Sequence, residues 1–185
     1  HRRRHSFPTR RSSDLVNYMD GTMRTRQTVT LNNSDNNVLV AETLYDHQGR
    51  AAVQILPVPM LHDPALKFRE KFNRNMANQA YSKSDFDLDG VPCGGAISPL
   101  NSATGAAYYY STQFYTSLTP QEKESHLAYI PESFGYPMIQ TEYTPDNTGR
   151  IQRQGGVGST FQLESGHETK YYYGTPAQEH LDYLF

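Results

Sequence analysis

Residues 38–56 read VLVAETLY, then DHQG, then RAAVQIL, so apolar and polar positions alternate on both sides of a polar break. A two-residue period sends successive side chains to opposite faces of a strand, and a short polar break containing Gly joins two such strands as a hairpin. The expected tip is at residues 46–49. Arg50 opens the second arm, with Val53 and Ile55 on one face. Residues 136–154 repeat the arrangement: a first arm ending at Tyr143, a turn containing Pro145, Asp146, Asn147 and Gly149, and a return starting at Arg150 and Ile151. Residues 16–30 do so again around Asp20 and Gly21.

The residue types explain the turns. An Asp carboxylate can accept a bond from the backbone two residues on, and Gly supplies the positive φ of a tight turn. Tyr on one arm can cover the stem of Arg on the other. Asp20 and Asp46 lie 26 positions apart, within the period range of supersecondary repeats. An isolated hairpin is marginal, whereas stacked hairpins bury a continuous face. A single such segment is therefore expected to leave edge strands unpaired and Val53, Ile55, Ile139 and Ile151 exposed.

The intervening pattern is different. Asp63 and Pro64, with Ala65, Phe68, Phe72 and Met76 at three- and four-residue steps, predict a short helix that Asn73-Arg74-Asn75 weakens. Residues 81–117, rich in Ser, Gly, Asp and Tyr, predict a long loop. Thr119-Pro120-Gln121-Glu122 is a capping box with Pro at the first helical position, and predicts a brief helix to about His126. Residues 168–173 read as a Tyr-rich strand, and Thr175-Pro176-Ala177-Gln178 as the start of a last helix carrying Leu181 and Leu184. The expected fold is mainly β, antiparallel hairpins with short helices in the middle and at the C-terminal end. Hairpin regions at 16–58 and 129–185 flank an insertion at 59–128.

Composition narrows the class. Only 36% of the 185 residues are hydrophobic, and 14 Tyr and 8 Phe with no Trp make the core material largely aromatic. This suits the pleated, half-buried faces of an extracellular-style β-protein. One cysteine, Cys93, permits no internal disulfide and reads as a small buried hydrophobe. No apolar run approaches the length of a membrane span.

Residues 1–15, HRRRHSFPTRRSSDL, carry five Arg and neither structural period. A basic nucleic-acid arm is one reading. The preferred one is a non-native segment resembling translated sequencing adapter, disordered and packed against nothing, at the head of a chain expected to be cut from a longer one. Setting aside its five of the 17 basic residues and its one of the 19 acidic residues leaves a net charge of −6. That balance argues against nucleic acid and anionic membranes as partners.

The spacing Tyr45-Asp46-x-x-Gly49-Arg50 resembles the signature of RHS/YD-repeat proteins. Tyr143, Asp146, Gly149 and Arg150 resemble it with two residues inserted between Tyr and Asp. Tyr18, Asp20, Gly21 and Arg24 resemble the D-G-x-x-R variant of the same family. Residues 16–185 as a whole are similar to RHS-repeat proteins of the Bacteroidota, in the part before the repeat core. The resemblance implies a large secreted or cell-surface protein whose strands spiral into a hollow shell, which in relatives can enclose a C-terminal toxin. It implies that the remainder of the parent protein is this segment's partner, and that the segment is structural and carries no catalysis.

Other chemistry is thinner. Asp85, Asp87 and Asp89 followed by Gly90 match the first half of a calcium loop, but the twelfth position, where a bidentate Glu belongs, is Ala96. Gly155-Gly156-Val157-Gly158 lacks the Lys of a phosphate loop. His167-Glu168 begins a zincin-like string whose second His is replaced by Tyr171. Glu132, Glu142 and Glu164 offer no readable acid–base pairing. The triplets 108–110 and 171–173 are tyrosines that could stack on sugars. The alternative function is thus a surface binding module, for carbohydrate or dependent on calcium. Otherwise no cofactor is expected.

Overall fold

The computed structural model describes residues 13–60, 63–86, 98–124 and 129–184. Their strands are β1 (Ser13–Met19), β2 (Thr25–Asn32), β3 (Asn37–Tyr45), β4 (Ala51–Met60), β5 (Met138–Tyr143), β6 (Ile151–Gly155) and β7 (Thr169–Lys170). They form one antiparallel sheet in which spatial order equals chain order. The fold is therefore mainly β, as the alternation predicts. Each Asp turn sits at a hairpin tip, and the return strands start one residue after Arg24, Arg50 and Arg150.

One face of the sheet is the core face. Val38, Val40, Glu42 and Leu44 point inward from β3 while Leu39 between them stays exposed. Val53, Ile55 and Val58 do the same on β4, and Met138 on β5. The apolar cover comes from the insertion. Its helices are α1 (Gly105–Tyr109), α2 (Thr112–Ser117) and α3 (Pro120–Lys123). Leu100, Ala106, Ala107, Tyr109, Phe114 and Leu118 close over Leu44, Val53, Ile55, Val58 and Met138 as one cluster. A second cluster of Val29, Val38 and Val40 is covered by Tyr18, Leu66 and Phe72. Burial of each such valine contributes about 1.5 kcal/mol or more.

Several expectations change. Val53 and Ile55 are 2% and 3% exposed, not bare, because the insertion supplies the apolar partners that a neighbouring hairpin was expected to supply. Ile139 and Ile151 are half-buried. Residues 81–117 are not simply loop, since α1 and α2 form the core's lid. No helix forms between Asp63 and Met76. There the backbone of Arg69 bonds the side chain of Gln27, and Arg69 itself turns back onto Asp63 and Ala65. Phe72 enters the core while Phe68 and Met76 stay exposed, which a helical stripe does not allow. The strand expected at residues 168–173 shortens to Thr169–Lys170.

The capping box at Thr119 and Glu122 is present, with the Thr119 amide donating to Glu122 Oε2 at 2.8 Å. The last helix, α4 (Gln178–Leu184), forms as expected but starts at Gln178, not at Pro176. At the other end, β1 begins inside the segment expected to be disordered. Ser13, Asp14 and Leu15 pair with Asn32, Leu31 and Thr30, because alternation across Leu15, Val16, Asn17 and Tyr18 lets the strand register with β2. Leu15 nevertheless remains 57% exposed. Residues 1–12 and Cys93 lie outside the described residues.

Candidate functional site

The first two Asp turns are one device used twice. Asp20 accepts from the amides of Thr22 and Arg24 and from Arg24 Nε at 3.1 Å. Asp46 accepts from the amides of Gln48 and Arg50 and from Arg50 Nε at 2.7 Å. Bonds from Thr22 and the Arg24 amide hold the Asp20 carboxyl down at about 2. Burial works against ionisation of Asp46, yet the Arg50 amide and guanidinium keep it below its ordinary value. Gly49 and Gly149 adopt φ of +81° and +74°, the left-handed conformation their place in the turn requires.

The tyrosines act between hairpins, not within them. The Arg24 guanidinium lies over the ring of Tyr45, 4.9 Å from its centroid, and Arg50 lies over Tyr143 at 4.2 Å. Each tyrosine returns a bond to the strand that follows its arginine: Tyr45 Oη donates to the Thr25 carbonyl and Tyr143 Oη to that of Ala51. The first and second hairpins thus each hand their Arg forward to the next hairpin's Tyr. The tips touch as well. A Cβ on Gly49 would meet Arg24 Nη1 at 3.1 Å, and the Gln48 side chain donates to Asn147.

Register corrects one assignment. Tyr45 pairs with Ala51 and Tyr143 with Ile151, each just after a register shift, and the equivalent partner of Thr25 is Met19. Tyr18 therefore does not hold the repeat's Tyr position. It faces the core, donates to the Leu66 carbonyl and packs on Phe68 at 5.5 Å. Gly21 has no neighbour that a Cβ would strike, so its turn does not depend on a close approach.

The third turn departs from the first two. Thr144 and Thr148 occupy Asp146 Oδ1 and hold that carboxyl down at about 2. Arg150 makes no ion pair among the described residues and lies over Tyr173, 5.2 Å from its centroid. Between this turn and residues 170–173 is an open cleft of about 360 Å³. Arg150, Asp146 and Gln152 line it together with Tyr171, Tyr172 and Tyr173.

The other candidates resolve differently. Asp85 is buried enough to disfavour its charge, but bonds from Asn75 and Ser82 hold its carboxyl below the ordinary value. Those bonds make it the anchor of a short 3-10 turn. Asp87 and Asp89 lie outside the described residues. No cluster of metal-ligating side chains occurs among the described residues. The amides of Gly156 and Gly158 donate to the carbonyls of Phe161 and Tyr136, so they do not form an anion nest. Glu142 and Glu164 do come together, but both bind Arg153. Tyr108, Tyr109 and Tyr110 pack with Phe114 and the core, which removes them as a sugar platform. No described helix is long and apolar enough to cross a membrane.

Sequence reasoning missed the buried polar node under the sheet. Glu42, at a core position of β3, accepts from Gln27 at 2.9 Å and from Asn73 at 2.6 Å. Asn73 Oδ1 in turn accepts the Ala106 amide at 2.8 Å. Four segments meet at this carboxylate. The available signal was Glu42 itself, a charged residue at an inward position of an otherwise apolar strand.

Comparison with family descriptions matches residues 4–119 to one described as a domain of unknown function, DUF6443. The match begins within the segment set aside on sequence grounds and spans the first two hairpins, the stretch from Asp63 to Met76 and the lid helices α1 and α2. No curated protein matches the chain.

Proposed function

We propose, from the premise that the chain belongs to the DUF6443 family, that it is a structural segment of a large secreted or cell-surface RHS/YD-repeat protein. In this reading it builds shell wall and performs no catalysis. The observation that carries the reading is the forward handing of Arg24 to Tyr45 and of Arg50 to Tyr143. A device that joins each hairpin to its successor suits a wall assembled by repetition. It explains why Tyr, Asp, Gly and Arg recur together: Asp and Gly shape the turn, while Arg and Tyr bind neighbours. The helical lid fits the same role, since it seals the apolar face where the hairpins do not cover one another.

The test is where the protein is found and at what size. Antibodies raised against this chain are expected to detect a product several times larger than 21.0 kDa in the cell-surface or culture-supernatant fraction. Detection of a product of that small mass confined to the cytosol would overturn the reading.

A further inference from the structure

We infer that the cleft beside β7 is a binding site for an acidic saccharide, a hexuronate whose carboxylate is taken by Arg150 and whose ring face lies on the exposed tyrosines. The argument begins with a difference between three otherwise equivalent arginines. Arg24 and Arg50 each give Nε to the Asp of their own turn, at 3.1 and 2.7 Å. Arg150 gives no such bond to Asp146, whose Oδ1 accepts from Thr144 and Thr148. Among the described residues its guanidinium keeps only the face of Tyr173, and Arg150 lines the cleft. A guanidinium edge is planar and suited to bidentate binding of a carboxylate.

The other cations of the cleft are already matched. Arg153 holds Glu142 and Glu164, and Lys170 holds Glu168 at 3.3 Å. Arg150 is the one cation of the cleft whose guanidinium makes no hydrogen bond or ion pair among the described residues, although Asp146 shares the cleft with it, and its donors fit one carboxylate.

The tyrosines of the cleft supply flat apolar area, Tyr172 above all, because Arg150 lies over one face of Tyr173. Tyr172 is 89% exposed and Tyr173 50%. A tyrosine has little reason to stand so far into solvent for packing, whereas the C–H face of a pyranose covers such a ring well. The volume of about 360 Å³ suits a mono- or disaccharide unit. Asp146 and Gln152 provide acceptors for sugar hydroxyls. The ligand is thus held with its acid on Arg150 and its ring over Tyr172. The site does not depend on the chain's place in a larger protein.

The test titrates the whole chain with trigalacturonate and with the same trisaccharide as its methyl ester, followed by calorimetry. The acid is expected to bind, and the ester about tenfold more weakly, since a charge-assisted bond is lost. Arg150→Gln should reduce binding of the acid to the level of the ester. Tyr172→Ala should weaken acid and ester by a similar factor, and its exposed position leaves the fold untouched. Circular dichroism melts confirm that both variants are folded. Equal binding of acid and ester, no binding of either, or equally tight binding of an oligo-aspartate peptide would each overturn the assignment.

Discussion

Arg50 lies over the ring of Tyr143, 4.2 Å from its centroid, although the whole helical insertion separates the two along the chain. The contact ties the second hairpin to the third at their tips, beyond the backbone bonding of residues 53–56 with 137–140. Arg50→Ala should therefore destabilise by about 2–3 kcal/mol, combining a charge-assisted bond with a cation–π contact. A double-mutant cycle with Tyr143→Leu should return a coupling of about 1 kcal/mol in denaturant unfolding. Strictly additive effects would show that the forward contact carries no energy.

The two turn glycines are expected to differ. Gly49→Ala and Gly149→Ala both force a side chain into a positive φ, at a cost of about 1 kcal/mol. Only at position 49 does the new Cβ also press on Arg24. Gly49→Ala should therefore lower the melting temperature more than Gly149→Ala, and an Arg24→Ala background should remove the excess. Equal effects in both backgrounds would argue against tip-to-tip stacking.

The polar node under the sheet gives a third prediction. Glu42→Ala leaves the amide groups of Gln27 and Asn73 buried without their acceptor, and should cost about 3 kcal/mol or more in denaturant unfolding. Gly105→Ala reaches the same node from the other side. Its φ is +52°, and its Cβ would lie 2.1 Å from Asn73 Oδ1. Both variants should loosen the lid over the sheet, read as faster amide exchange at Ala106 and Ala107. Unchanged exchange there would mean that the node does not hold the lid.

Acid sensitivity follows from the turns. The carboxyls of Asp20 and Asp146 sit at about 2 in the folded chain, against about 3.9 in an unfolded one. A depressed folded value means that their stabilisation is fully present above about pH 4 and is lost as pH falls through about 2. Melting temperature should decline across that window, and the decline should be shallower in the Asp20→Asn, Asp146→Asn double variant. Identical pH profiles for the two proteins would exclude the turns as its source.

The hairpins were legible because their information is local. Alternation marks the arms, and Asp with Gly marks the tips, so three turns can be placed from a few residues each. The Arg–Tyr rungs were only half legible: the residue types were visible, but whether Arg24 meets its own hairpin's tyrosine or Tyr45 is a question of sheet twist and register. Register likewise decides that Met19, not Tyr18, takes the repeat position. The stretch from Asp63 to Met76 misled because its three- and four-residue spacing mimics a helix, while Arg69 and Asn73 are committed to distant partners that no local pattern reveals. The lid helices were hidden by their shortness, since α1 and α2 have five and six residues, too few for a period to show.

The order of the sheet has a mechanical consequence. The chain crosses it once, strand by strand, and β1 and β7 lie at opposite edges. A load applied to those two strands pulls across the sheet, so backbone bonds open one row after another like a zip and are not sheared together. A stretched molecule should therefore extend in a series of small, low-force steps. The longest step should come when β4 parts from β5, because that rupture alone releases the slack of the insertion between Met60 and Met138.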